Sequence, residues 1–392
     1  MAKKNKEQGK MSSADISNMI NNLAGTSVSF SLEDDDHPSK VKDWISTGSR
    51  VLDSTIAKGK MGGIPVGRIT SFAGMPATGK SFIACQVAAN AQKKGYHVIY
   101  FDTESSIDPD FLGSMGIDTK QGFTYVQPTH VEMIFETIGA ILDSNAASTL
   151  FIWDSLAATQ TKKELEDDSM NPQSSVGLRP RIISLGLKKI MTKLANTDST
   201  LLVTNQLYTN IVTDPFDFAG RQEPYKTPGG NALKFAYSLE IWLTRRNAKS
   251  AIRLGEHGEM NGAEVKATLK KSRFGTERRE CAFDIEWAGH VGVADKESWL
   301  DVVIGSSKCT RSGAWYTICD DKGKEFKFQT SKWMSMLEDP EFFAVVDKIM
   351  DYELIDKFVE HGMSNEFFNV EDKMNKVIQK IAGSDKKNQE EE

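Results

Sequence analysis

The sequence predicts an α/β protein whose core is a mostly parallel sheet with an antiparallel extension. Between residues 68 and 206, short apolar segments rich in β-branched and aromatic residues alternate with segments of helical periodicity, which is typical of parallel strands joined by helices. Residues 239–244, 265–269 and 281–285 then follow as consecutive strands with little helix between them. From about residue 289 the pattern changes to short helices and a hairpin, which indicates a small α+β domain.

A glycine-rich turn between a strand at residues 68–73 and a helix at residues 82–89 is the most informative stretch. It fits G-x-x-x-x-G-K-[ST] at every fixed position. Glycines let backbone N–H groups point at phosphate oxygens, and the first turn of the helix adds its own free N–H groups. Lysine in this motif reaches the β- and γ-phosphates, and serine binds Mg²⁺. The sequence therefore predicts a nucleoside triphosphate site with Mg²⁺, formed by Gly74, Met75, Pro76, Ala77, Thr78, Gly79, Lys80, Ser81 and Phe82.

Two acidic residues follow other strands of the predicted sheet. Asp154 ends the strand at residues 150–154, where a carboxylate is placed to hold Mg²⁺ through its water shell. Strands often end at aspartate, so this assignment depends on the glycine-rich turn. Glu104 follows the strand at residues 97–102 and is the candidate base for hydrolysis, with an ordinary loop acid as the plainer interpretation.

Three more residues complete the predicted nucleotide site. Asp108 and Phe111 offer a carboxylate and an aromatic face against which an adenine can pair and stack. Gln206 ends the strand at residues 201–206, where its amide can sense the γ-phosphate. Helices predicted at residues 131–142 and 182–194 connect these strands.

Two long segments without a regular pattern, residues 162–176 and 207–228, interrupt the core. Long loops inside a compact domain are usually functional or disordered. Basic residues lie near them in the sequence, and mobile loops surrounded by cations can hold a nucleic-acid backbone. Solvated surface charge explains the same residues equally well on composition alone. The cations concerned are Arg179, Arg181, Lys188, Lys189, Arg245 and Arg246.

A further group of cations closes the strand at residues 265–269. Lys271 and Arg273 in this group can reach the γ-phosphate of ATP in a neighbouring subunit, as an arginine finger does. The alternative is a basic turn without such a role.

The composition limits the class of protein. The chain has 392 residues, of which 39% are hydrophobic and 26% charged, as in a soluble globular protein. No apolar run approaches the roughly 20 residues that span a bilayer, and no signal peptide is evident, so a cytoplasmic protein without a membrane partner is expected. Four cysteines without a CxxC pair and six scattered histidines predict neither a disulfide framework nor a zinc site. A net charge of −6 argues against wholesale coating of nucleic acid but leaves room for a local basic path.

Both ends of the chain are predicted to lie outside the core. A short amphipathic helix from about residue 13 and an alternating segment at residues 28–32 are together too small to bury much surface alone. They are expected to pack on their own domain or on a neighbouring subunit. The predicted domains are an N-terminal arm (1–45), the core (46–288), a C-terminal domain (289–383) and a disordered acidic tail (384–392).

Taken together, these motifs resemble the RecA-type homologous recombinases, and most closely the phage UvsX-like branch. The resemblance covers about residues 45–330. Its most specific part is Thr227-Pro228-Gly229-Gly230-Asn231-Ala232-Leu233-Lys234-Phe235, which is similar to the segment that ends the family's second DNA-binding loop. The other parts are Asp102-Thr103-Glu104, Asp108-Pro109, Ser114-Met115-Gly116-Ile117-Asp118, Asp154-Ser155-Leu156-Ala157-Ala158, Asn205-Gln206, Lys271-Ser272-Arg273 and Gly313-Ala314-Trp315-Tyr316.

The resemblance implies a RecA-type P-loop ATPase core that forms helical filaments on single-stranded DNA, pairs it with homologous duplex DNA and exchanges strands. It also implies that Glu104 activates the attacking water and that Gln206 couples the γ-phosphate to the loop that follows. Lys271 and Arg273 would complete the neighbouring subunit's ATP site, and Phe235 would lie at the same interface. The N-terminal arm would dock on the adjacent protomer and so serve as a polymerisation arm. A single-strand-binding protein and a loading mediator are the expected further partners. The DNA-binding residues carried over are Val176, Gly177, Arg181, Ser184, Lys188, Gly229, Gly230 and Asn231, with Arg245 and Arg246 nearby.

Two other functions fit parts of the sequence. A hexameric helicase-like motor shares this core but closes into a ring, and the segment at residues 227–235 and the C-terminal domain weigh against it. A recombination mediator binds nucleotide and partner recombinases without exchanging strands. The intact set of Lys80, Ser81, Glu104 and Asp154 weighs against that second alternative.

Overall fold

The computed structural model describes residues 11–31, 37–57, 59–144, 147–167, 177–210, 225–229, 231–245, 248, 251–254, 257–288 and 291–357, with the backbone alone at 231 and 232. The chain forms two compact units, one ending at Lys42 and the other beginning at Asp43. Several predicted features lie outside the described residues. They are the acidic tail, most of both DNA loops, Val176, Gly230 and Arg246.

The described residues of the smaller unit form one helix, α1, Ser13–Ala24. Ser12 and Asp15 form a capping box at its start, and Gly25 ends it at a φ of 66°, in the left-handed conformation that glycine tolerates. Residues 28–31 of the segment predicted as a strand at 28–32 do not form a strand, and residue 32 lies outside the described residues. The first N–H groups of this segment, from Val28 and Ser29, donate instead to Asn21 Oδ1, both at 2.8 Å. The Asn21 side chain thus takes up two N–H groups that a neighbouring strand would otherwise accept from.

The larger unit holds all the remaining described elements. Its α-helices are α2 Arg50–Ile56, α3 Lys80–Lys93, α4 Pro109–Ser114, α5 Val131–Asp143, α6 Lys162–Glu166, α7 Leu178–Ala195, α8 Asn231–Ala236, α9 Asp295–Gly305, α10 Trp333–Met336 and α11 Pro340–Asp351. A 3-10 helix at Thr330–Lys332 precedes α10, and a π-helix at Tyr352–Asp356 follows α11. Its strands are β1 Trp44–Ile45, β2 Ile64–Pro65, β3 Ile69–Gly74, β4 His97–Asp102, β5 Phe123–Val126, β6 Thr149–Asp154, β7 Thr200–Gln206, β8 Tyr208–Thr209, β9 Tyr225–Lys226, β10 Leu239–Arg245, β11 Ile252–Leu254, β12 Met260–Ser272, β13 Glu280–Glu286, β14 Gly292–Ala294, β15 Cys309–Ser312, β16 Trp315–Cys319 and β17 Glu325–Phe328.

The central sheet confirms the predicted fold class. Its described strands run in the order β14-β13-β12-β10-β3-β7-β6-β4-β5, with β11 paired to β12. Strands β10, β3, β7, β6, β4 and β5 are parallel, whereas β11 to β14 form the antiparallel extension. Short β8 and β9 form a separate antiparallel pair, as do β1 and β2.

Helices cover both faces of the parallel part of the sheet. On one face α3 contributes Ile83, Val87 and Ala88 to an apolar cluster that continues under β10, β12 and β13. On the other face α5, α7 and α8 pack over the fully buried Phe151 and Trp153 of β6. Strands covered on both faces are nearly continuous apolar runs, which is why they were recognisable in the sequence.

The parallel strands bring their carboxyl ends to one edge of the sheet. Gly74 pairs with Gln206, and Asp102 pairs with Asp154. Ligands of open α/β sheets bind outside this edge, so the fold gathers four segments predicted to carry chemistry at one place.

Some elements differ from the sequence expectation. Edge strand β5 was not predicted: its four residues, Phe123–Val126, favour strands, but the segment is short and is not a buried apolar run. Segment 162–176, predicted to be irregular, begins with α6. Helix α7 starts at Leu178 rather than at residue 182, with Pro180 in its first turn, where proline is tolerated because it has no N–H to satisfy.

A small α+β domain follows the antiparallel extension. Strands β15, β16 and β17 form its sheet, and Phe328 packs edge-on against Phe342 of α11 at a centroid distance of 5.4 Å. Val51 of α2 lies in the same apolar cluster as these rings, so this domain and the core share buried surface. In the part of the chain that is described, no helix is long and apolar enough to cross a membrane.

Arg50 links α2 to the C-terminal helices, and its loss is expected to destabilise the protein. Its guanidinium donates to Asp347 at 2.6 Å and Asp351 at 2.5 Å, and lies 5.2 Å from the Trp299 ring. Arg50→Ala should lower the free energy of unfolding in urea by about 1–2 kcal/mol, the low side of the range for charged hydrogen bonds because both carboxylates are half exposed. Lys193→Ala, which breaks an exposed pair with Asp143, is the control and should cost at most about 0.5 kcal/mol. Equal effects of the two changes would contradict the structural role of Arg50.

Candidate nucleotide and DNA site

The glycine-rich turn has the backbone of a phosphate-binding loop. Ala77 and Gly79 have φ angles of 60° and 88°, which curl the chain between β3 and α3. Thr78 Oγ1 donates to Met75 O at 2.8 Å and closes the turn. Lys80 Nζ lies across it, donating to Gly74 O at 3.1 Å and Met75 O at 3.0 Å. The ammonium group is therefore held over the concave side of the turn.

The residues of this turn fit a triphosphate. A Cβ atom on Gly74 would lie 2.8 Å from Leu243 O and closer still to Thr78 Oγ1, so the turn leaves no room for a side chain at that position. No side chain caps the first turn of α3, which starts after Gly79. Uncapped N–H groups at the start of a helix, beside a glycine cradle and an ammonium group, form a site for phosphate oxygens.

Burial and two nearby carboxylates have opposite effects on the pKa of Lys80. Burial lowers its pKa, whereas the nearby carboxylates of Asp154 and Glu104 act in the opposite direction. An anionic ligand at this position would favour the charged ammonium further.

Asp154 is a buried carboxylate that accepts two hydroxyl hydrogen bonds. Tyr100 Oη donates to its Oδ2 at 2.6 Å, and Thr204 Oγ1 donates to its Oδ1. Burial raises the pKa of Tyr100 well above its usual value and raises that of Cys85 to about 12, so both neighbours stay neutral. The two donors fix the Asp154 carboxylate at the end of β6.

The donor set suits Mg²⁺ held mainly by oxygen atoms of water and phosphate. No group of three or more His, Cys, Asp or Glu side chains among the described residues forms an all-protein metal site. Mg²⁺ commonly keeps several waters and uses one or two protein oxygens. Ser81, in the first turn of α3, and Asp154 are the candidate ligands, directly or through water.

Glu104 lies beside the ends of three strands. Ser155 Oγ donates to its Oε1 at 2.5 Å, and Gln206 Nε2 approaches the same oxygen at 3.4 Å. Asp102 shapes the turn in between, because its carboxylate accepts from the N–H groups of Glu104 at 3.1 Å and Ser106 at 2.9 Å. The structure therefore brings together Glu104, Gln206 and the end of β6, which are far apart in the sequence.

Asp108 and Phe111 have structural contacts of their own. Asp108 Oδ1 accepts from the N–H groups of Asp110 and Phe111 and so caps α4. The Phe111 ring packs edge-on against Phe82 of α3 at a centroid distance of 4.9 Å. Phe111 thus lies next to the phosphate loop, and contact of either residue with adenine stays a prediction.

The second predicted DNA loop begins and ends next to this site. Tyr208 Oη donates to Gln206 Oε1 at 3.3 Å, and β8 and β9 form a short ribbon at the two ends of the loop. Asn205 Nδ2 donates to Pro228 O at 3.2 Å. Gly229 has a φ of 102° and no room for a Cβ beside Leu233, so the turn into α8 requires glycine.

The residues predicted around the first loop form one stripe on α7. Arg181 and Lys188 are exposed, with Ser184 half-buried on the same helical face and Gly177 at the helix start. Glu164 has partners within the protein. Its side chain forms the capping box of α6 with Thr161, and its Oε2 pairs with Arg179 Nη2 at 3.3 Å. Its negative charge is therefore partly neutralised within the protein.

Arg245 contacts a different group of residues. Its guanidinium lies 5.4 Å from the centroid of the Trp287 ring, and Nη2 is 3.1 Å from Met260 Sδ. It stands at the carboxyl end of β10, beside the strand of the phosphate loop. The structure thus brings it to the antiparallel extension and not into the α7 stripe.

Comparison with known proteins assigns the family. The chain matches the model of the RecA N-terminal domain over residues 13–292. This chain belongs to the RecA family. It is 31% identical to Protein RecA of Aquifex aeolicus over 304 residues. These residues are 78% of this chain and 82% of that protein. Protein RecA of Mannheimia haemolytica is 30% identical over 304 residues, which are 78% of this chain and 77% of that protein. Protein RecA of Frankia casuarinae is 32% identical over 284 residues, which are 72% of this chain and 76% of that protein.

Membership in the RecA family places the chain among DNA-dependent ATPases of recombination and repair. The phosphate loop, Glu104, Asp154 and Gln206 all lie inside the matched region. The α7 stripe and the segment from Gly229 to α8 lie inside it as well.

In this RecA-family chain Lys271 and Arg273 are bound to the backbone at the end of α8. Lys271 Nζ donates to Lys234 O and lies 3.4 Å from Phe235 O, and Arg273 Nη2 donates to Phe235 O at 2.7 Å. Burial lowers the pKa of Lys271. Phe235 itself is 74% exposed. The two cations thus lie at the end of α8, next to the backbone of this exposed residue.

Sequence reasoning missed the residues that support the RecA-type site. Tyr100 and Thr204 lie within apolar strands, and Thr103 and Ser155 follow two of the strands that end at the site. For Tyr100 and Thr204 the available signal was a hydroxyl inside an otherwise apolar buried strand, where an unpaired polar atom would be costly. Their partner, Asp154, was identifiable only as a strand-terminal carboxylate.

Proposed function

We propose that this RecA-family protein is an ATP-dependent recombinase that forms helical filaments on single-stranded DNA. In this proposal it catalyses homologous pairing and strand exchange and hydrolyses ATP in a DNA-stimulated reaction. The observation that carries the proposal is the contact of Gln206 with Glu104 at one end and with Tyr208, at the start of the second loop, at the other. Such a connection is what coupling between bound DNA and hydrolysis requires.

The proposed roles follow the geometry of the site. Lys80 would bind the β- and γ-phosphates, and Glu104 would accept the proton of the attacking water. Ser81 and Asp154 would hold Mg²⁺, which when bound neutralises charge that develops on the phosphates. Asp108 and Phe111 would contact adenine. Gln206 would transmit the state of the nucleotide to the second loop.

Lys271 and Arg273 would act in a neighbouring subunit of the filament. In the isolated chain they are bound to carbonyl oxygens at the end of α8, so reaching another subunit's phosphates requires that they leave these acceptors. Exposed Phe235 lies beside them and would be covered at the same interface. An exposed aromatic ring next to cations is typical of a protein interface.

DNA would be bound mainly through its phosphates. The proposed contacts are Gly177, Arg181, Ser184 and Lys188 of the α7 stripe, with Val176, Gly229, Gly230, Asn231, Arg245 and Arg246. Phosphate contacts give little sequence preference and a strong salt dependence. We further propose a UvsX-like lineage, a cytoplasmic location, and cooperation with a single-strand-binding protein and a loading mediator.

The test combines ATP hydrolysis, electron microscopy and strand exchange on the same preparation. We expect hydrolysis to rise at least tenfold on single-stranded DNA, with helical filaments and exchange between homologous DNA molecules. Closed rings would favour a helicase-like motor. DNA-independent hydrolysis without strand exchange would favour a mediator, and either result would overturn the proposal.

A further inference from the structure

The side chain of Ser155 makes a short contact with the candidate base. Ser155 is 1% exposed, whereas Glu104, to which its Oγ donates at 2.5 Å, is an exposed residue on a turn. A buried hydroxyl has few rotamers available, while a glutamate on a turn has many. The buried partner therefore determines where the Glu104 carboxylate sits.

The backbone of Ser155 is held independently of its hydroxyl. Its N–H donates to Thr103 Oγ1 at 2.9 Å, and Thr103 Oγ1 lies 3.0 Å from its carbonyl oxygen. Thr159 Oγ1 donates to the same carbonyl at 2.9 Å. Removal of the hydroxyl alone should thus leave the local backbone intact.

The contact also distinguishes the two oxygens of Glu104. Ser155 and Gln206 both approach Oε1. Within the residues that the structure describes, no hydrogen bond is made to Oε2. One oxygen is anchored and the other is available to water.

We propose that Ser155 is a positioning residue that anchors Glu104 through Oε1, so that Oε2 accepts the proton of the attacking water. This inference rests on the proposed role of Glu104 in ATP hydrolysis. The proton leaves water for the carboxylate, and the resulting hydroxide oxygen forms the bond to phosphorus as the bond to the leaving ADP oxygen breaks. Ser155 itself keeps its proton throughout and touches neither water nor phosphate.

The experiment compares Ser155→Ala with the parent in DNA-stimulated ATP hydrolysis by the full chain. A lost hydrogen bond to a charged group should lower kcat about 10- to 100-fold. The Kd for a non-hydrolysable ATP analogue should stay within about twofold, because Ser155 does not touch the phosphate loop. Ser155→Cys, whose thiol is a weaker donor, is measured beside it. Its kcat should lie between those of the parent and Ser155→Ala, so the result does not depend on one variant folding.

A matched control and a double-mutant cycle separate positioning from a structural effect. Ser199 is also buried, and its Oγ accepts from Thr149 N at 3.1 Å at the opposite end of β6, so Ser199→Ala should leave kcat unchanged. In a Glu104→Gln background, Ser155→Ala should cause no further loss in single-turnover hydrolysis of radiolabelled ATP.

Three results would overturn the inference: a kcat within twofold of the parent, a loss of analogue affinity equal to the loss in kcat, or an undiminished loss in the Glu104→Gln background. Full hydrolysis by Glu104→Gln alone would instead overturn the role of Glu104 in the proposed function. The two failures are therefore distinguishable.

Discussion

Glu104→Gln should abolish most DNA-stimulated ATP hydrolysis while leaving nucleotide and DNA binding in place. The amide keeps an oxygen that can accept from Ser155 and Gln206, so the turn around it is preserved. It cannot take a proton from water, and loss of a general base typically costs a factor of about 100 to 10,000 in rate. The measurement is kcat on single-stranded DNA, together with the Kd for an ATP analogue.

The control for this change is an exposed glutamate far from the site. Glu341 pairs with Lys324 in the C-terminal domain, and Glu341→Gln should hydrolyse ATP at the parental rate. Filaments formed by Glu104→Gln in the presence of ATP should persist longer than those of the parent, because hydrolysis is what releases DNA in the proposed mechanism. A Glu104→Gln protein that turned over ATP within threefold of the parent would exclude Glu104 as the base.

Gly74→Ala should remove nucleotide binding. The added methyl group would lie 2.8 Å from Leu243 O, a backbone atom of the neighbouring strand that cannot move aside, and still closer to Thr78 Oγ1. The turn must therefore shift, which displaces the Lys80 ammonium from the position where it bridges Gly74 O and Met75 O. We expect affinity for an ATP analogue to fall at least about 100-fold, since the preorganised phosphate contacts are lost together.

Gly113→Ala is the matched control for that substitution. Gly113 lies exposed in α4, and a Cβ placed on it meets no atom within 4 Å. Alanine there should leave nucleotide binding unchanged and raise the free energy of unfolding by up to about 1 kcal/mol, because alanine favours helix over glycine. Analogue binding by Gly74→Ala at parental affinity would show that this turn does not hold the phosphates.

Much of the core was predictable because each of its buried strands has a recognisable local sequence pattern. Strand β4 occupies residues 97–102 as predicted, and β6 and β7 differ from their predicted bounds by one residue at the amino end. Buried parallel strands are continuous apolar runs, and such runs need no knowledge of neighbours. Edge strand β5 and helix α8 lack that signal, since what makes them regular is a neighbouring strand or a packing surface.

The candidate site also has a part that the sequence predicts and a part that it does not. The phosphate loop could be read from the chain because all its groups come from one continuous segment, whose glycines and lysine have fixed spacing. Asp154, Glu104 and Gln206 could be proposed singly as residues at strand ends. Their contacts could not be predicted, because a distance between two strand ends depends on the order of strands in the sheet.

The sequence by itself determined the α/β class, the phosphate loop and the identity of the strand-terminal residues, since each depends on residues close together in the chain. Tertiary structure alone decided that Ser155 and Gln206 meet one oxygen of Glu104, and that Tyr100 and Thr204 hold Asp154. It also decided that Lys271 and Arg273 rest on the end of α8. These contacts join residues from different strands, and their geometry is set by β-sheet register and packing, which no local pattern encodes.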